Sequence, residues 1–431
     1  MADTLAVLPG KVFKLYSLAA MCAVCILADT ATAEPVALTG KLTNRFSDNV
    51  ALEPANEISD IETRADLTLR HQTDPGKCGA TTAASLGYGR WYDETYEPEN
   101  YASLDFDGAC RLNRGLSWEL SDYLRDVAKN TRLSDTPENR TRKNVFTTGP
   151  VYAVKLGQVD RLIISAKYGR TDYSDSGTTD SERYFGSATW NHIFSAISSG
   201  GLQLSINRTD LDTGATINTD ALSLLFQKSW PSTRISGRIG GSQIESRLGG
   251  AVRKSDGVVG NLLLERDINT VTQIYFQASR DLTDQTSDFD IKYEDVVFNV
   301  SQSSAIELTT FETGFLKQLS NTSRLSLKIF ANQVNRIDSA GDEDRVGGAI
   351  DYNRAISELM SFRGGGDYQH RSFASDGSSD RSYRLRLGLD YKLSRDLRLE
   401  GNIGHSVRKS DLDTSEYQEN WVSLGINYTF F

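Results

Sequence analysis

The chain has 431 residues, 47 basic and 57 acidic side chains and a net charge of −10. This length allows two or three ordinary domains or one large barrel. The acidic balance argues against a nucleic-acid partner, and the absence of any run of about 18 apolar residues after residue 33 excludes an α-helical membrane protein.

The first 33 residues predict a secretory signal peptide. Two lysines precede the apolar stretch LYSLAAMCAVCILA, which is too short and wrongly flanked for a membrane span. The sequence ATA then predicts cleavage after Ala33, which leaves a single mature domain over 34–431. Lipoprotein processing at Cys22 or Cys25 is an alternative that the residues before these cysteines fit poorly. The mature chain is therefore expected outside the cytoplasm.

Two cysteines remain after cleavage, Cys78 and Cys110. They flank a predicted hairpin, in which ATTAASLGYGRWY and NYASLDFDGA are the strands and DETYEPE (93–99) is the loop. In an oxidising compartment such a pair predicts a disulfide between neighbouring strands, with reactive thiols as the alternative. Because no C-x-x-C or Cys/His cluster is present, no metal or cofactor is predicted.

Strand patterns recur along the rest of the chain, and helical periodicity is nearly absent. In RLRLGLDYKL (384–393) every second residue from Leu385 is apolar, whereas Arg384, Arg386 and Asp390 fall on the other face. RLSLKIFAN, LRLEGNIGHSV and TQIYFQAS alternate in the same way. Residues 120–130 fit a helix and a strand equally well.

Polar connectors of two sizes separate these segments. Short ones, such as those near Asn321 and Arg395, alternate with long ones at 173–182, 339–344, 372–382 and 408–416. This asymmetry is typical of outer-membrane barrels, which have tight periplasmic turns and longer outward loops. Counting about 20 strand-like segments, we predict one antiparallel transmembrane β-barrel of about 16–22 strands.

The alternation raises the question of which solvent meets the apolar face. A soluble sandwich also alternates, but it gives no reason for so many long strands in plain hairpin succession. We therefore expect lipid outside and a charged lumen inside, which requires the sheet to close because every backbone group in lipid must be paired.

The segment ENWVSLGINYTFF and the serial strands resemble outer-membrane β-barrels of the porin type. Gly425, Tyr428 and Phe430 match the terminal-strand pattern that the outer-membrane insertion machinery reads, with one extra residue, Phe431, after it. TNRFSDNVAL (43–52) and the spacing over 168–194 are similar to the outer-membrane proteins associated with exosortase (PEP-CTERM) and exopolysaccharide gene clusters. The resemblance implies no catalytic residues.

Four charged residues are candidates for the lumen wall: Arg384, Arg386, Arg398 and Glu400. Such a ladder would select ions or sugar acids in an open pore. The alternative is a plugged lumen held by cross-strand salt bridges, and the sequence does not choose between the two.

A lipid hydrolase is the enzymatic alternative. His370 and Ser372 share one strand face, but no acidic residue that would orient the histidine is evident on that face nearby. The acidic loop residues of 93–99 are a weak cation-site candidate, and the five tryptophans are interpreted as interfacial girdle residues.

The sequence therefore predicts a non-enzymatic channel in the outer membrane of a Gram-negative bacterium, with a link to exopolysaccharide export or surface assembly. The alternatives are a general diffusion porin, the lipid hydrolase and a passive structural barrel. The expected partners are outer-membrane lipid, lipopolysaccharide, the insertion machinery and polysaccharide.

Overall fold

The computed structural model describes residues 36–73, 76–288, 304–337, 341–412 and 415–431. The predicted signal peptide and its cleavage site lie outside these residues, as does part of the predicted loop at 339–344. No helix in the described ranges is long and apolar enough to cross a bilayer.

The described chain forms twenty strands, and the alternating segments become these strands because a period of two gives each one a polar and an apolar face. Their bounds are β1 Ala37–Ser47, β2 Asp60–Gln72, β3 Cys78–Trp91, β4 Glu99–Asn113, β5 Leu116–Ala128, β6 Arg140–Lys155, β7 Asp160–Tyr173, β8 Ser181–Ser195, β9 Ser198–Leu211, β10 Thr216–Ser229, β11 Thr233–Leu248, β12 Ala251–Asn269, β13 Thr272–Asp284, β14 Ala305–Ser320, β15 Ser323–Arg336, β16 Glu343–Ala355, β17 Met360–Phe373, β18 Ser379–Lys392, β19 Leu397–Ser410 and β20 Tyr417–Thr429.

All twenty strands belong to one closed antiparallel sheet. Each strand pairs with its neighbours in the chain, and β1 pairs with β20 from Thr39 opposite Thr429 to Ser47 opposite Trp421. The predicted fold class is confirmed, and the strand number lies within the predicted range. The segment that was ambiguous between helix and strand, 120–130, falls largely in β5.

The outer face of the barrel carries a broad apolar band. On β18, Leu385, Leu387 and Leu389 are 61%, 47% and 49% exposed, and the outward residues of most other strands are similar. A monomer in water rarely exposes an apolar patch larger than a few hundred Å². Exposing apolar surface to water is unfavourable, whereas exposing it to lipid is not. The outer face therefore fits a bilayer and not bulk water.

The two ends of the barrel differ in the length of their connections. One end, which we call the turn end, has connections as short as 114–115, 196–197, 270–271 and 321–322. The other, which we call the loop end, carries the long connections 48–59, 129–139 and 285–304. The predicted alternation of short turns and long loops is therefore present over much of the barrel, although the loop-end connection 249–250 is also short.

Candidate pore lumen

The inward face of the barrel is rich in charged side chains, most of them in pairs. Arg363 donates to Asp390 at 2.7 Å, and Lys41 donates to Glu400 at 2.6 Å. Arg125 also pairs with Asp105. Since partly buried ion pairs are screened less than exposed ones, these pairs link adjacent strands, or in the case of Lys41 and Glu400 strands on either side of β20, and line the lumen with both signs of charge.

The four predicted lumen residues lie on the inward face of β18 and β19, but at two different heights. Arg384 and Arg386 are near the middle of β18 and share the carboxylate of Asp367, at 2.9 Å and 3.5 Å. Arg398 and Glu400 lie near the turn end, opposite Lys392 and Asp390. The structure therefore separates the four into two groups that do not form one continuous ladder.

At the loop end, residues 284–288 fold inward after β13, and we call this segment the strap. Arg183 of β8 binds Asp284 at 2.7 Å, and Lys143 of β6 donates to the carbonyl oxygen of Ser287 at 2.6 Å. Thr171 of β7 donates to the carbonyl oxygen of Thr286 at 2.9 Å. Lys143 is fully buried in this arrangement.

These contacts require the strap to cross the lumen. Strand β6 is seven strands away from β13, and strands are spaced about 4.8 Å apart, so the path along the wall is on the order of 30 Å. The strap instead reaches the inner faces of β6 to β9 directly. The strap therefore narrows the lumen at the loop end.

A second segment, residues 131–134 of the loop after β5, also folds inward, and we call it the clasp. Arg371 donates to the carbonyl oxygen of Thr131 at 2.7 Å, and Arg408 donates to that of Arg132 at 2.6 Å. These arginines belong to β17 and β19, across the lumen from β5. The clasp thus closes a different sector of the loop end from the strap.

The clasp is also fixed to the loop between β17 and β18. The Arg132 guanidinium donates to Asp376 at 2.6 Å and lies 4.3 Å from the centre of the Phe373 ring. The Arg132 hydrogen bond holds the pKa of Asp376 well below its usual range, with further hydrogen bonds from Ser378. This ion pair is therefore formed at all ordinary pH values.

Apolar side chains on the inward face fill the space beside the strap. Ile217 of β10 and Ile244 of β11 are 1% and 0% exposed and pack with Leu282 and Ala305 at the loop ends of β13 and β14. A second cluster joins Tyr173 of β7 to β14, seven strands away. Burying a side chain such as isoleucine stabilises by about 1.5–3 kcal/mol, so the first cluster holds the neighbouring strands β9 to β14 together and the second links β7 to β14 across the lumen.

Below the strap the lumen contains a chamber of about 510 Å³. Its walls include Tyr123, Lys167, Arg238 and Asp281. Lys167 pairs with Glu119 at 2.7 Å, and Arg238 pairs with Asp281. A chamber with charged and hydroxyl groups on facing walls can hold a small polar solute.

Cys78 and Cys110 lie directly opposite each other in the β3–β4 ladder, near the turn end, and their sulfur atoms are bonded. The bond joins two strands that are already paired along the predicted hairpin. It therefore acts as a local link in the barrel wall.

The last strand closes the seam of the barrel. Tyr428 faces outward opposite Gly40 of β1, and Phe430 packs against Tyr428 with a ring separation of 5.0 Å. Gly425 lies on the inward face opposite Thr43. The two aromatic residues of the proposed insertion signal therefore point toward lipid, and the glycine points toward the lumen.

The geometry gives little support for hydrolysis. His370 Nδ1 lies 3.2 Å from the backbone oxygen of Asp380, and within the described part of the chain no carboxylate hydrogen-bonds to its ring. The hydrolytic pair thus has no orienting acid there. A search of the described residues finds no group of three or more His, Cys, Asp or Glu side chains that could hold a metal, the acidic 93–99 segment included.

The girdle interpretation of the tryptophans is wrong for Trp91 and Trp421. Trp91 is 4% exposed and packs edge-on against Tyr96. Trp421 shares the inward face of β20 with Ser423, and the Arg45 guanidinium lies 5.2 Å from its ring centre. Both are lumen residues, and parity within their strands would have placed them correctly.

The sequence interpretation did not find the strap, the clasp or Lys143. A signal for closure was nevertheless present. Apolar residues such as Ile217, Ile244 and Ile306 occupy inward positions at strand ends that face the loops, where a water-filled mouth would favour polar side chains.

The C-terminal part of the barrel resembles a known protein family. A family model described as "Putative beta-barrel porin 2" matches residues 339–430. This match covers about a fifth of the chain, from the connection before β16 to the end of β20. The closed sheet with its apolar outer band has the form of an outer-membrane barrel, and over these residues it is similar to that porin family.

Solved structures with a similar fold belong to several kinds of outer-membrane barrel. The siderophore receptor PiuA from Acinetobacter baumannii has 12% identity and a TM-score of 0.49, over 92% of this chain and 82% of that one. OccK2 (OpdF) of Pseudomonas aeruginosa, in complex with glucuronate, has 11% identity and a TM-score of 0.43, over 92% and 98%. OmpT of Vibrio cholerae has 9% identity and a TM-score of 0.36, over 93% and 100%. No curated protein matches the sequence, and at these values none of the likenesses indicates a substrate.

Proposed function

We propose that the barrel is a gated outer-membrane channel for polar, charged solutes. The observation that carries this proposal is the combination of a charge-lined lumen with two inward segments at one end. The paired residues along β17 to β19, such as Arg384 with Asp367 and Arg363 with Asp390, line a polar path. The strap and the clasp narrow that path where the long loops begin.

The orientation follows from the two ends. Outer-membrane barrels place short turns in the periplasm and long loops outside. The turn end therefore faces the periplasm, and the strap and clasp form a gate at the outer surface. The disulfide then lies near the periplasmic end, in an oxidising compartment.

The finer proposal is that the solute is an acidic polysaccharide, or a fragment of one, moving outward. Arginine binds carboxylates in two-pronged geometry, and the lumen offers arginines at two heights on β18 and β19. The main competing function is a general diffusion porin, for which the charged wall would set only a weak ion preference.

Solute flux into proteoliposomes tests the proposal. Folded barrel is reconstituted, and osmotic swelling is followed with neutral and uronic-acid oligosaccharides of the same length. The proposal expects slow flux that favours the acidic sugar and that increases when Arg132→Ala loosens the clasp. Equal flux of both sugars in both variants would favour the diffusion porin, and no flux in either would overturn the channel.

The hydrolase has its own direct test. A Ser372→Ala variant should leave the lipid composition of a reconstituted membrane identical to that given by the wild type. A lipid change that depends on Ser372 would contradict the non-enzymatic assignment.

A further inference from the structure

The turn end of the lumen carries a set of basic side chains that the paired charges do not account for. We call this set the turn-end ring, and it comprises Arg70, Lys155, Arg161, Arg324, Lys392 and Arg398. All six lie on the inward face at strand ends and are exposed. Within the described ranges, none of their side chains has a hydrogen-bond or ion-pair partner.

Four members of the ring face each other as two like-charged pairs. Lys155 lies directly opposite Arg161 across β6 and β7, and Lys392 lies directly opposite Arg398 across β18 and β19. Like charges directly opposite each other in a sheet are destabilising. Both pairs lie at the turn end, each beside a short turn. Binding of a negatively charged ligand would offset the repulsion within each pair.

The neighbouring acidic residues do not neutralise these pairs. Two residues deeper in the same ladder, Asp390 and Glu400 are already bound to Arg363 and Lys41. Glu265, on the inward face of β12, is bound to Arg234. Asp267 of β12 is a further inward acid at this end, six strands from both Lys155 and Lys392.

The two pairs lie on nearly opposite walls, because β6–β7 and β18–β19 are twelve strands apart in a sheet of twenty. A barrel of this size has a diameter on the order of 30 Å or more. A single small anion cannot contact both walls, whereas a flexible chain with repeated negative charges can, and its second contact is then intramolecular.

The polar residues between the pairs indicate what kind of chain fits. Inward positions at the turn end of β8, β9 and β10 include Asn191, Ser199 and Gln227, with Ile193 opposite Ser199. Amide and hydroxyl groups suit a ligand rich in hydroxyls.

We propose that the turn-end ring is a capture site for a carboxylated polysaccharide chain that enters the lumen from the turn end. This inference rests on the proposed function for its direction of transport and deepens it by naming the ligand class and the residues that receive it. The ring concentrates the polyanion at the entrance through its positive field. The pairs relieve their mutual repulsion by binding carboxylates.

The test is a binding measurement that does not require an open channel. The folded barrel in non-ionic detergent at low salt is titrated into fluorescein-labelled oligogalacturonate, and fluorescence anisotropy is recorded. Lys155→Ser/Arg161→Ser and Lys392→Ser/Arg398→Ser should each weaken binding by about tenfold or more, and added salt should weaken wild-type binding steeply.

The matched control variant removes two positive charges from the outward face of the barrel, also at the turn end. Lys317 and Arg354 lie at the turn ends of β14 and β16, on the face shared with Leu325 and Phe362. Lys317→Ser/Arg354→Ser should leave oligogalacturonate binding within about twofold of the wild type, an effect typical of remote exposed charges. Equal loss in the control and the ring variants would overturn the proposal.

Two further outcomes separate this inference from the proposed function. If an unstructured DNA oligomer of equal charge binds as tightly as oligogalacturonate, the assignment to acidic sugar is overturned. If binding depends on the ring but no solute flux is found, the channel fails and the capture site stands. If flux is found but the ring variants bind as the wild type does, the capture site fails and the channel stands.

Discussion

Lys143 is the residue on which the position of the strap depends most directly. Its ammonium group is fully buried and donates to the carbonyl oxygen of Ser287 at 2.6 Å. A hydrogen bond to a charged group contributes about 1.5–3 kcal/mol. Lys143→Met keeps most of the volume and removes this bond, so it should favour strap release by tenfold or more, since about 1.4 kcal/mol is a factor of ten.

Hydrogen exchange measures this release. In Lys143→Met the amides of residues 284–288 should exchange at least about tenfold faster than in the wild type, by the same conversion. Lys41→Met, which breaks the lumen ion pair with Glu400 far from the strap, is the control and should leave strap exchange unchanged. Equal exchange in all three proteins would contradict the assigned role of Lys143.

Two carboxylates contact the clasp, Glu343 through Thr131 and Asp376 through Arg132, and Asp376 determines how the Arg132 ion pair responds to pH. Its hydrogen bond with Arg132 lowers the pKa of its carboxyl group. A carboxyl group whose pKa is lower in the folded state adds stability above its unfolded pKa and loses it as the pH falls through the folded pKa. The Arg132–Asp376 ion pair should therefore keep its part of the clasp in place from pH 8 to pH 5 and break only in strong acid.

Amide exchange of residues 131–134, corrected for the intrinsic effect of pH, tests this. In the Asp376→Asn variant, the amides of residues 131–134 should exchange rapidly at pH 7, because this variant lacks the ion pair with Arg132 at every pH. A wild-type clasp that loosens between pH 7 and pH 5 would show that a group other than Asp376 controls it.

At the scale of the element, the strands were predictable and the inward segments were not. Strand faces follow from residues two positions apart, so RLRLGLDYKL alone defines most of β18. The strap depends on contacts between residues more than 100 positions apart, such as Lys143 with Ser287. Nothing in its polar sequence distinguishes it from an ordinary outward loop.

For the candidate lumen site, the sequence predicts which strand face the residues occupy but not which residues they pair with. Parity placed Arg384, Arg386, Arg398 and Glu400 on one face, as the register of β18 and β19 has them. Their partners could not be predicted, because Asp367 and Lys41 come from β17 and from the far end of the chain. Register between strands fixes such pairs, and it depends on turn geometry as well as on pattern.

The disulfide belongs to the β3–β4 hairpin, and its effect should be local. It joins residues 32 positions apart, for which loop-closure entropy gives an upper bound of about 3–4 kcal/mol. Cys78→Ser/Cys110→Ser should therefore fold to the same barrel with a lower unfolding midpoint in guanidinium. The wild type with its disulfide reduced should match this variant, and a midpoint equal to that of the oxidised wild type would show that the link adds no stability.

At the scale of the whole molecule, the barrel combines an outer face suited to lipid, a charged lumen and one closed end. The apolar clusters around Ile217 and Ile306 and the two inward segments all lie at the loop end. The turn end carries exposed, unpaired cations. This polarity supports the proposed entrance and gate, which a uniform structural barrel would not need.

Single-channel recording in a planar bilayer tests this account most directly. The wild type is compared with Lys143→Met/Arg132→Ala, after heat-modifiable gel migration has shown that both are folded. We predict that the wild type is mostly closed with brief openings and that the double variant is open most of the time with the same unit conductance. Steady, equal currents in both proteins would contradict the gate, and silence in both would contradict the channel itself.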